Sequence, residues 1–342
     1  MQSSSNDPAV SVLMSVYNGQ NFLRQAVDSI LGQTFADFEF IIIDDGSTDA
    51  TPDILAGYTD SRIRRVRNPG NIGLTRSLNI GLEMARGRYV ARMDADDESL
   101  PTRIEEQVAF LDANPGVAVC GTAALVNGRP VSRPGEDAVI RSLLPFSPCL
   151  THGSVMLRAA VLREHGLRYN EAFARAQDYE LWYRLSRIPG AGFANLRTPL
   201  LSYRLHTGQV SSTEGEEQSA SGDAVRRAFL AHMGIEPSDL DLETHRDLFK
   251  GNDSPRTRQR LASWAARLVR ANRASGTCPP DAFEFCIGRM VWNFWRDSAR
   301  TPPLSLLWLL ARRPAYAHGR LIRAMGEKYI WLGWLRYFRR RA

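Results

Sequence analysis

Phe38 to Asp49 reads FEFIIIDDGSTD: six residues dominated by aromatic and β-branched side chains, then six that are acidic, small or hydroxylated. A run that short and that apolar fits a strand buried on both faces, and in open parallel sheets the loop after such a strand is where ligands bind. The surrounding sequence repeats the pattern. Upstream, Val10 to Val16 (VSVLMSV) is a first strand ended by Tyr17-Asn18-Gly19. Phe22 to about Leu31 then places Phe22, Leu23, Ala26, Val27, Ile30 and Leu31 on one helical face, and Gly32 closes the helix. Downstream, Asp49 or Thr51 can cap a helix with Pro52 in its first turn. Ile63 to Arg67 is a third strand, followed by the loop Asn68-Pro69-Gly70-Asn71-Ile72-Gly73 and a helix from Thr75 to Ala85 stopped by Gly87. Arg88 to Met93 is a fourth strand that delivers Asp94-Ala95-Asp96-Asp97, and beyond Pro101 come a helix to about Ala113 and a strand from Val117 to Ala123. Alternation of this kind predicts an α/β fold: a mostly parallel sheet with helices on both faces and its polar loops along one edge.

Past that half the periodicity weakens. Ser154 to Leu157 reads as a strand, Gln177 to Ser186 as a helix, and Ala191 to Leu205 as a pair of strands. Thr213 to Asp223 (TEGEEQSASGD) is polar, acidic and without apolar period, so a boundary is expected there. The expected organisation is a catalytic domain over 1–212, an acidic linker and helical connection over 213–254, and a helical tail over 255–342.

The chain has 342 residues, 44% hydrophobic and 23% charged, a globular composition that excludes disorder, collagen and coiled coil. Its net charge of +6 is an average of two unlike parts. Residues 255–342 carry 18 basic and 4 acidic side chains, or +14, leaving −8 on residues 1–254. Six of the seven tryptophans, Trp264, Trp292, Trp295, Trp308, Trp331 and Trp334, fall in the same basic part. Arginine with tryptophan suits a membrane interface, and the segments Leu304 to Leu310, Arg312-Arg313 and YIWLGWLRYFRRRA read as interfacial helices. A packed helical appendage with a solvated basic face is the alternative. No nucleic-acid-binding motif is present, so nucleic acid is not an expected partner. Cys120, Cys149, Cys278 and Cys286 form no CxxC pair and have no histidines at metal-ligand spacing, which leaves buried reduced thiols. The start, MQSSSNDPAV, lacks the features of a signal peptide, and the apolar run from Leu304 to Ala311 is too short to span a bilayer. The expected location is the cytoplasm, peripheral on the inner face of the plasma membrane.

Three carboxylates at one strand end, Asp94, Asp96 and Asp97, repel one another unless neutralised, and a divalent cation with oxygen ligands is a natural partner. The carboxylates of Asp44 and Asp45 can accept hydrogen bonds from a base edge or ribose hydroxyls, and Tyr17 offers a ring for a base to stack on. The glycines of the Asn68 to Gly73 loop permit close backbone approach, and Arg76 can meet a phosphate. Neither GxGxxG nor GxxxxGK[ST] occurs, which argues against dinucleotide and P-loop binding.

Taken in order, VSVLMSVYNGQNFLRQAVDSILGQTF, FEFIIIDDGSTDAT and NPGNIGLTRSLNIGLEMARGRYVARMDADD resemble the family 2 glycosyltransferases, over about residues 9 to 210. The resemblance implies a GT-A fold, a Rossmann-like nucleotide-sugar-binding sheet, and transfer of sugar to an acceptor hydroxyl with inversion at the anomeric carbon. It implies Ser15, Tyr17 and Asp45 at the base-binding positions, Asp94 at a ribose or donor contact, Arg76 on the donor side, and Asp96 as ligand of Mn2+ or Mg2+. Gln177-Asp178-Tyr179-Glu180-Leu181-Trp182 resembles the motif holding the catalytic base, with Asp178 at the base and Gln177 where a glutamate is common. Tyr203-Arg204-Leu205-His206 with Ser211-Ser212 resembles the segment that closes over the diphosphate. There His206 is a metal or phosphate ligand and Arg204 a source of positive charge. His152-Gly153-Ser154 matches a recurring segment near the acceptor and is given no catalytic role.

The expected donor is a nucleoside-diphosphate sugar, a UDP-sugar first. The expected acceptor is a saccharide or lipid-linked saccharide, in synthesis of a bacterial cell-surface polysaccharide such as lipopolysaccharide, O-antigen, capsule or exopolysaccharide. The competing readings are a sugar nucleotidyltransferase, which should carry a glycine-rich basic loop that VYNGQNF is not, and a catalytically idle membrane-associated scaffold.

Overall fold

A computed structural model describes residues 7–206, 215–252 and 254–297. They divide into two compact units: one holds the described residues up to Gly135 together with Leu150 through Gln218, the other Glu136–Cys149 together with those from Ser219 onward.

The first unit is built on one sheet. Strands β1 (Val10–Val16), β2 (Phe38–Asp44), β3 (Ile63–Arg67) and β4 (Tyr89–Asp94) lie in the order β3-β2-β1-β4, all parallel. β1 and β2 are buried at every position, which is why their sequences are nearly continuous apolar runs. Even-numbered residues of β1 (Val10, Val12, Met14, Val16) pack with Leu23, Ala26, Val27 and Ile30 of α1 (Leu23–Leu31), Leu55 of α2 (Thr51–Ala56), and Ile104, Val108 and Leu111 of α4 (Arg103–Ala113). Because side chains alternate along a strand, Ser11, Leu13 and Ser15 point to the opposite face, where α3 (Leu74–Met84) packs on β1 and β2. Four parallel strands that share an edge place their following loops together, and the expected site loops therefore meet there.

The sheet continues with strands the sequence signalled weakly. β5 (Glu98–Ser99) and β7 (Arg129–Val131) are short, β6 (Val117–Val126) is long, and β8 (Met156–Arg158) runs antiparallel to both β4 and β6. The segment expected to be a strand pair is one strand, β9 (Gly192–Tyr203), parallel to β6. The polar triplet Arg197-Thr198-Pro199 looks like a turn, but the register passes from Thr122↔Leu196 to Ala123↔Pro199, so two exposed residues bulge out and the strand resumes. Pro199 sits at that irregularity, where a missing N–H is tolerated. Two further helices, α6 (Ala159–Glu164) and α7 (Gln177–Ser186), complete the unit.

The second unit is helical: α5 (Asp137–Leu143), α8 (Gly215–His232), α9 (Asp239–Lys250), α10 (Pro255–Ser275) and α11 (Pro280–Asp297). Its boundaries follow from local chemistry. Ser238 and Asp241 form a reciprocal capping box at the start of α9, Gly251 ends it in the left-handed region, and Ser254 caps α10 ahead of Pro255. From Gly215 the acidic stretch expected as a linker is helix, made of residues that tolerate a helix but carry no apolar stripe before Val225. Phe146, Phe229, Trp264, Phe283, Ile287 and Phe294 fill the core; across the two units all four cysteines are buried and none forms a disulfide. Leu304 to Leu310, Arg312-Arg313, Trp308, Trp331, Trp334 and the segment YIWLGWLRYFRRRA lie outside the described residues.

Candidate active site

The loops after β1 and β2 are laced together. Asn18 sits in the left-handed region at φ 50°, donates its N–H to Ser47 Oγ (3.0 Å) and accepts from the Thr48 N–H through Oδ1 (2.9 Å). The Gly19 N–H donates to Thr51 Oγ1 (2.8 Å). Tyr17 projects from this braid with 48% of its surface exposed, a large ring facing solvent beside a polar loop. Asp45 is buried and fully engaged: Oδ1 accepts from Asn68 Nδ2 (2.8 Å) and the Ile72 N–H (3.0 Å), and Oδ2 accepts from the Gly73 N–H (2.9 Å). One carboxylate thus fixes the loop that opens α3. Gly46, at φ 71°, lies so close to that loop that a Cβ would stand 2.4 Å from the Gly70 carbonyl carbon. Arg76, on the first turn of α3, is exposed and pairs with Glu171 (2.9 Å).

The acidic cluster is built around an arginine. Arg92 lies inside β4, where the sequence shows only an interruption in an apolar run, and it is 1% exposed. It forms an ion pair with Asp94 two residues on, and Asp94 neighbours Ser15 across the parallel β1–β4 pairing. Burial works against the guanidinium charge, yet Asp94, Tyr169 and Asp96 hold its pKa above the ordinary arginine value. On the other side of β4, Arg103 is equally buried and donates through Nη2 to the Arg92 carbonyl (2.6 Å). Burial, with Arg92 as a second positive charge, pushes the Arg103 pKa down to about 10. Asp96 is raised by burial and by the charge of Asp94. Asp97 is pushed up to about 9 by burial and then by Asp94 and Asp96; its Oδ1 accepts from the Arg204 N–H (2.9 Å), and its Oδ2 is buried with no hydrogen bond.

Around Arg92 stand three groups from the second half of the unit. His152 opens a 3-10 turn over His152–Ser154, and its Nε2 is 2.8 Å from the Tyr169 hydroxyl. Burial and the charge of Arg92 hold the His152 pKa well below the usual value, so the ring is neutral; burial raises the Tyr169 hydroxyl. Gly153 brings this turn against the acids, for a Cβ there would stand 2.6 Å from Asp94 Oδ2. Asp178, in the first turn of α7, accepts from the Tyr179 N–H (2.7 Å) and is within electrostatic reach of both Arg92 and Asp94. Burial lifts its pKa, with Arg92 opposing the rise and Asp94 adding to it.

The end of β9 closes the other side. His206 Nε2 donates to Asp96 Oδ2 (2.9 Å), and its ring lies 4.7 Å from that of Phe22. Ser211 and Ser212 lie outside the described residues. Among the described residues no three His, Cys, Asp or Glu side chains form a metal cluster. Asp96 and His206 form a pair whose shared proton a divalent cation can replace, and Asp97 Oδ2 is an unpartnered buried oxygen next to it in sequence. Such a donor set fits a hard cation that completes its shell with phosphate oxygens and water.

Of the sequence-derived positions, Asp94, Asp96, His206 and Asp178 gather with Ser15 about Arg92, while Tyr17 and Asp45 stand on the adjoining loops. Arg76 is tied to Glu171 instead. Sequence reasoning passed over Arg92, Tyr169 and Phe22. For Arg92 a signal existed: a charged residue inside YVARMD, in a strand that is otherwise buried.

A parallel α/β sheet whose loops hold an acidic cluster, an aromatic ring and a separate buried carboxylate on an adjoining helix defines a glycosyltransferase of GT-A fold. Residues 11–165 match the family described as Glycosyl transferase family 2. An uncharacterized glycosyltransferase of Haemophilus influenzae is 32% identical over 254 residues, 68% of this chain and 77% of that protein. The Bacillus subtilis protein EpsE, a glycosyltransferase by name, is 36% identical over 208 residues, 58% of this chain and 73% of its own length. The structure of S. aureus TarS 1-349 in complex with UDP-GlcNAc aligns with a TM-score of 0.56 at 18% identity, over 83% of this chain and 86% of that one, a likeness of fold. The chain belongs to glycosyl transferase family 2. Membership sets aside the nucleotidyltransferase reading.

Proposed function

We propose that this glycosyltransferase moves a sugar from a nucleoside-diphosphate sugar, a UDP-sugar first, to a hydroxyl of a saccharide or lipid-linked saccharide acceptor with inversion. The setting is synthesis of a bacterial cell-surface polysaccharide. One observation carries the reading: at the sheet edge Arg92 pairs with Asp94 and His206 with Asp96, and Asp178, from a helix in the second half of the unit, lies in the field of the same Arg92. An acceptor held at Asp178 and a donor held at the strand ends then meet from opposite sides. As the acceptor oxygen bonds to the anomeric carbon, its proton passes to Asp178, and the bond from that carbon to the diphosphate breaks with its electron pair going to the phosphate oxygen. The raised pKa of Asp178 suits it to take a proton, and the Tyr179 N–H fixes one of its oxygens. Tyr17 would stack on the base, Asp45 would hold the base-binding loop, and Ser15, Asp94 and Arg76 would bound the donor. Asp96 and His206 would hold Mn2+ or Mg2+. When bound, the cation supplies charge stabilisation at the leaving diphosphate.

Transfer or hydrolysis of a panel of nucleotide sugars, followed as free nucleotide with Mn2+ present, tests this. Turnover that Asp96→Ala abolishes is expected; equal turnover in Asp96→Ala, or in chelator, would remove the metal from the reading.

The same reading takes 1–212 as the catalytic domain, 213–254 as connection and 255–342 as a membrane-associating tail, with Glu136–Cys149 grouped in the helical unit. No helix among the described residues is long and apolar enough to cross a membrane. Support for a peripheral contact comes from exposed Arg256, Arg267, Arg270 and Arg273 along α10 and from Trp292, 45% exposed on α11. The full chain should sediment with phosphatidylglycerol vesicles and not with phosphatidylcholine vesicles; sedimentation with neither would end the docking idea.

A further inference from the structure

Arg204 carries the charge that the sequence offers to a diphosphate, but its donors are already committed. Nε donates to the Asp96 carbonyl (3.0 Å), and Nη2 donates to Glu98 Oε1 (2.6 Å) and Gln25 Oε1 (2.7 Å). The face of the guanidinium lies over Phe22, with Cζ 4.7 Å from the ring centroid, and the backbone N–H reaches Asp97 Oδ1 (2.9 Å). The pairing of β9 with β5 ends at Glu98↔Ser202 and its pairing with β6 at Val126↔Tyr203, so past Tyr203 no ladder holds the chain that leads to His206. Arg204 takes over at the next residue. Its contacts reach α1, the residue before α1, and the loop that carries Asp96.

We propose that Arg204 is a positioning residue: its guanidinium, laid on Phe22 and divided among Asp96, Glu98 and Gln25, fixes the end of β9 so that the His206 imidazole rests on the same Phe22 ring and against Asp96. The two contacts of Phe22 support this, since the His206 and Arg204 groups each lie 4.7 Å from one ring. A planar fork with donors in fixed directions can satisfy three acceptors while stacking on a ring, and a lysine ammonium of the same charge cannot. The inference deepens the reading of His206 given above and rests on it only for what His206 would hold.

The test uses the full chain with isotope-labelled histidine, without donor or acceptor. In the wild type, an Overhauser contact should connect the His206 ring to Phe22, and Mn2+ alone should broaden the His206 signal. In Arg204→Lys and Arg204→Gln the contact should disappear, and in these variants and in Phe22→Leu the Mn2+ concentration needed for half-broadening should rise about 10–100-fold, as for loss of other groups that orient a ligand. Thermal melts of each variant confirm folding, and Phe22→Leu keeps the test open if an Arg204 variant does not fold. Arg204→Lys that keeps both the contact and the wild-type response to Mn2+ would overturn the proposal and make Arg204 a simple charge. If the contact is lost in the variants while Mn2+ never broadens wild-type His206, the clamp stands and the metal role of His206 falls.

Discussion

Asp178→Asn separates the chemistry of this site from its stability. The replacement keeps the size and shape of the side chain, and the amide oxygen can still accept the Tyr179 N–H that Asp178 Oδ1 accepts at 2.7 Å. What it removes is the only part the proposed mechanism needs, an ionisable oxygen that takes the acceptor proton. Loss of a positioned general base costs about 10²–10⁴-fold in rate, or about 3–5 kcal/mol of transition-state stabilisation. Stability should move the other way. Burial raises the Asp178 pKa above that of an exposed aspartate, so above the folded-state pKa the ionised carboxylate weakens the fold relative to a neutral group. Asparagine has no charge to desolvate, so its melting temperature at neutral pH should equal or exceed that of the wild type. The same raised pKa sets the acid limb of kcat/KM: activity falls as pH drops through it, at a pH above the ordinary aspartate range. The assay is release of free nucleotide with the donor and acceptor that the panel identifies, with melting followed in parallel. A variant that keeps more than a tenth of wild-type kcat would refute Asp178 as the base. One that loses activity together with several degrees of melting temperature would show that it acts through the fold.

Two further outcomes concern the rest of the molecule. His245, in the helical unit, donates from Nε2 to the Pro145 carbonyl (3.0 Å) and accepts the Trp264 indole N–H at Nδ1 (3.3 Å); burial, with Arg226 and Arg246 adding to it, lowers its pKa to about 3. Against an unfolded value of about 6.5 its neutral form stabilises the fold above that pH, and the contribution is lost as pH falls through the window toward 3, about 2 kcal/mol of it by pH 5. Urea denaturation at pH 7 and pH 5 should show that loss in the wild type and a smaller one in His245→Gln; identical losses would refute it. At the acidic cluster, Arg92 already pairs with Asp94, so stripping divalent cations with EDTA should leave the melting temperature within about a degree while abolishing transfer; a large drop would show that the cation holds the fold.

The first half of the fold was legible because its central strands β1, β2 and β4 are buried on both faces and its helices on one. Apolar runs of seven residues and stripes at helical spacing report those states directly, and β1 and β3 begin and end where the sequence places them. Legibility failed where tertiary pairing decides. β9 hides a bulge behind Arg197-Thr198-Pro199, and Glu136–Cys149 joins the helical unit although the chain on both sides of it belongs to the other. Neither fact has a local signature. At the site, the motifs named most of the residues that gather but not what two of them touch. Arg76 and Arg204 are arginines beside an expected anion, and a sequence cannot tell that Glu171 holds one and that Asp96, Glu98 and Gln25 hold the other.

Arg92 bears on why such a site can exist before any ligand arrives. Four carboxylates, Asp94, Asp96, Asp97 and Asp178, gather in one region, Asp97 buried and the others half-buried, and ionised together they would repel. From the sequence alone a divalent cation is a natural remedy. The structure supplies others: a guanidinium inside β4 paired with Asp94, a proton retained on Asp97 by a pKa of about 9, and His206 hydrogen-bonded to Asp96. Each remedy engages a different carboxylate, and none engages the side chain of Asp178 directly. It is left with backbone N–H groups, its own and that of Tyr179, and with the field of Arg92, all of which favour its ionised form against burial. Division of the charges in this way lets the cluster stand without a ligand, and under the proposed function Asp96 and His206 would serve the cation and Asp178 the acceptor.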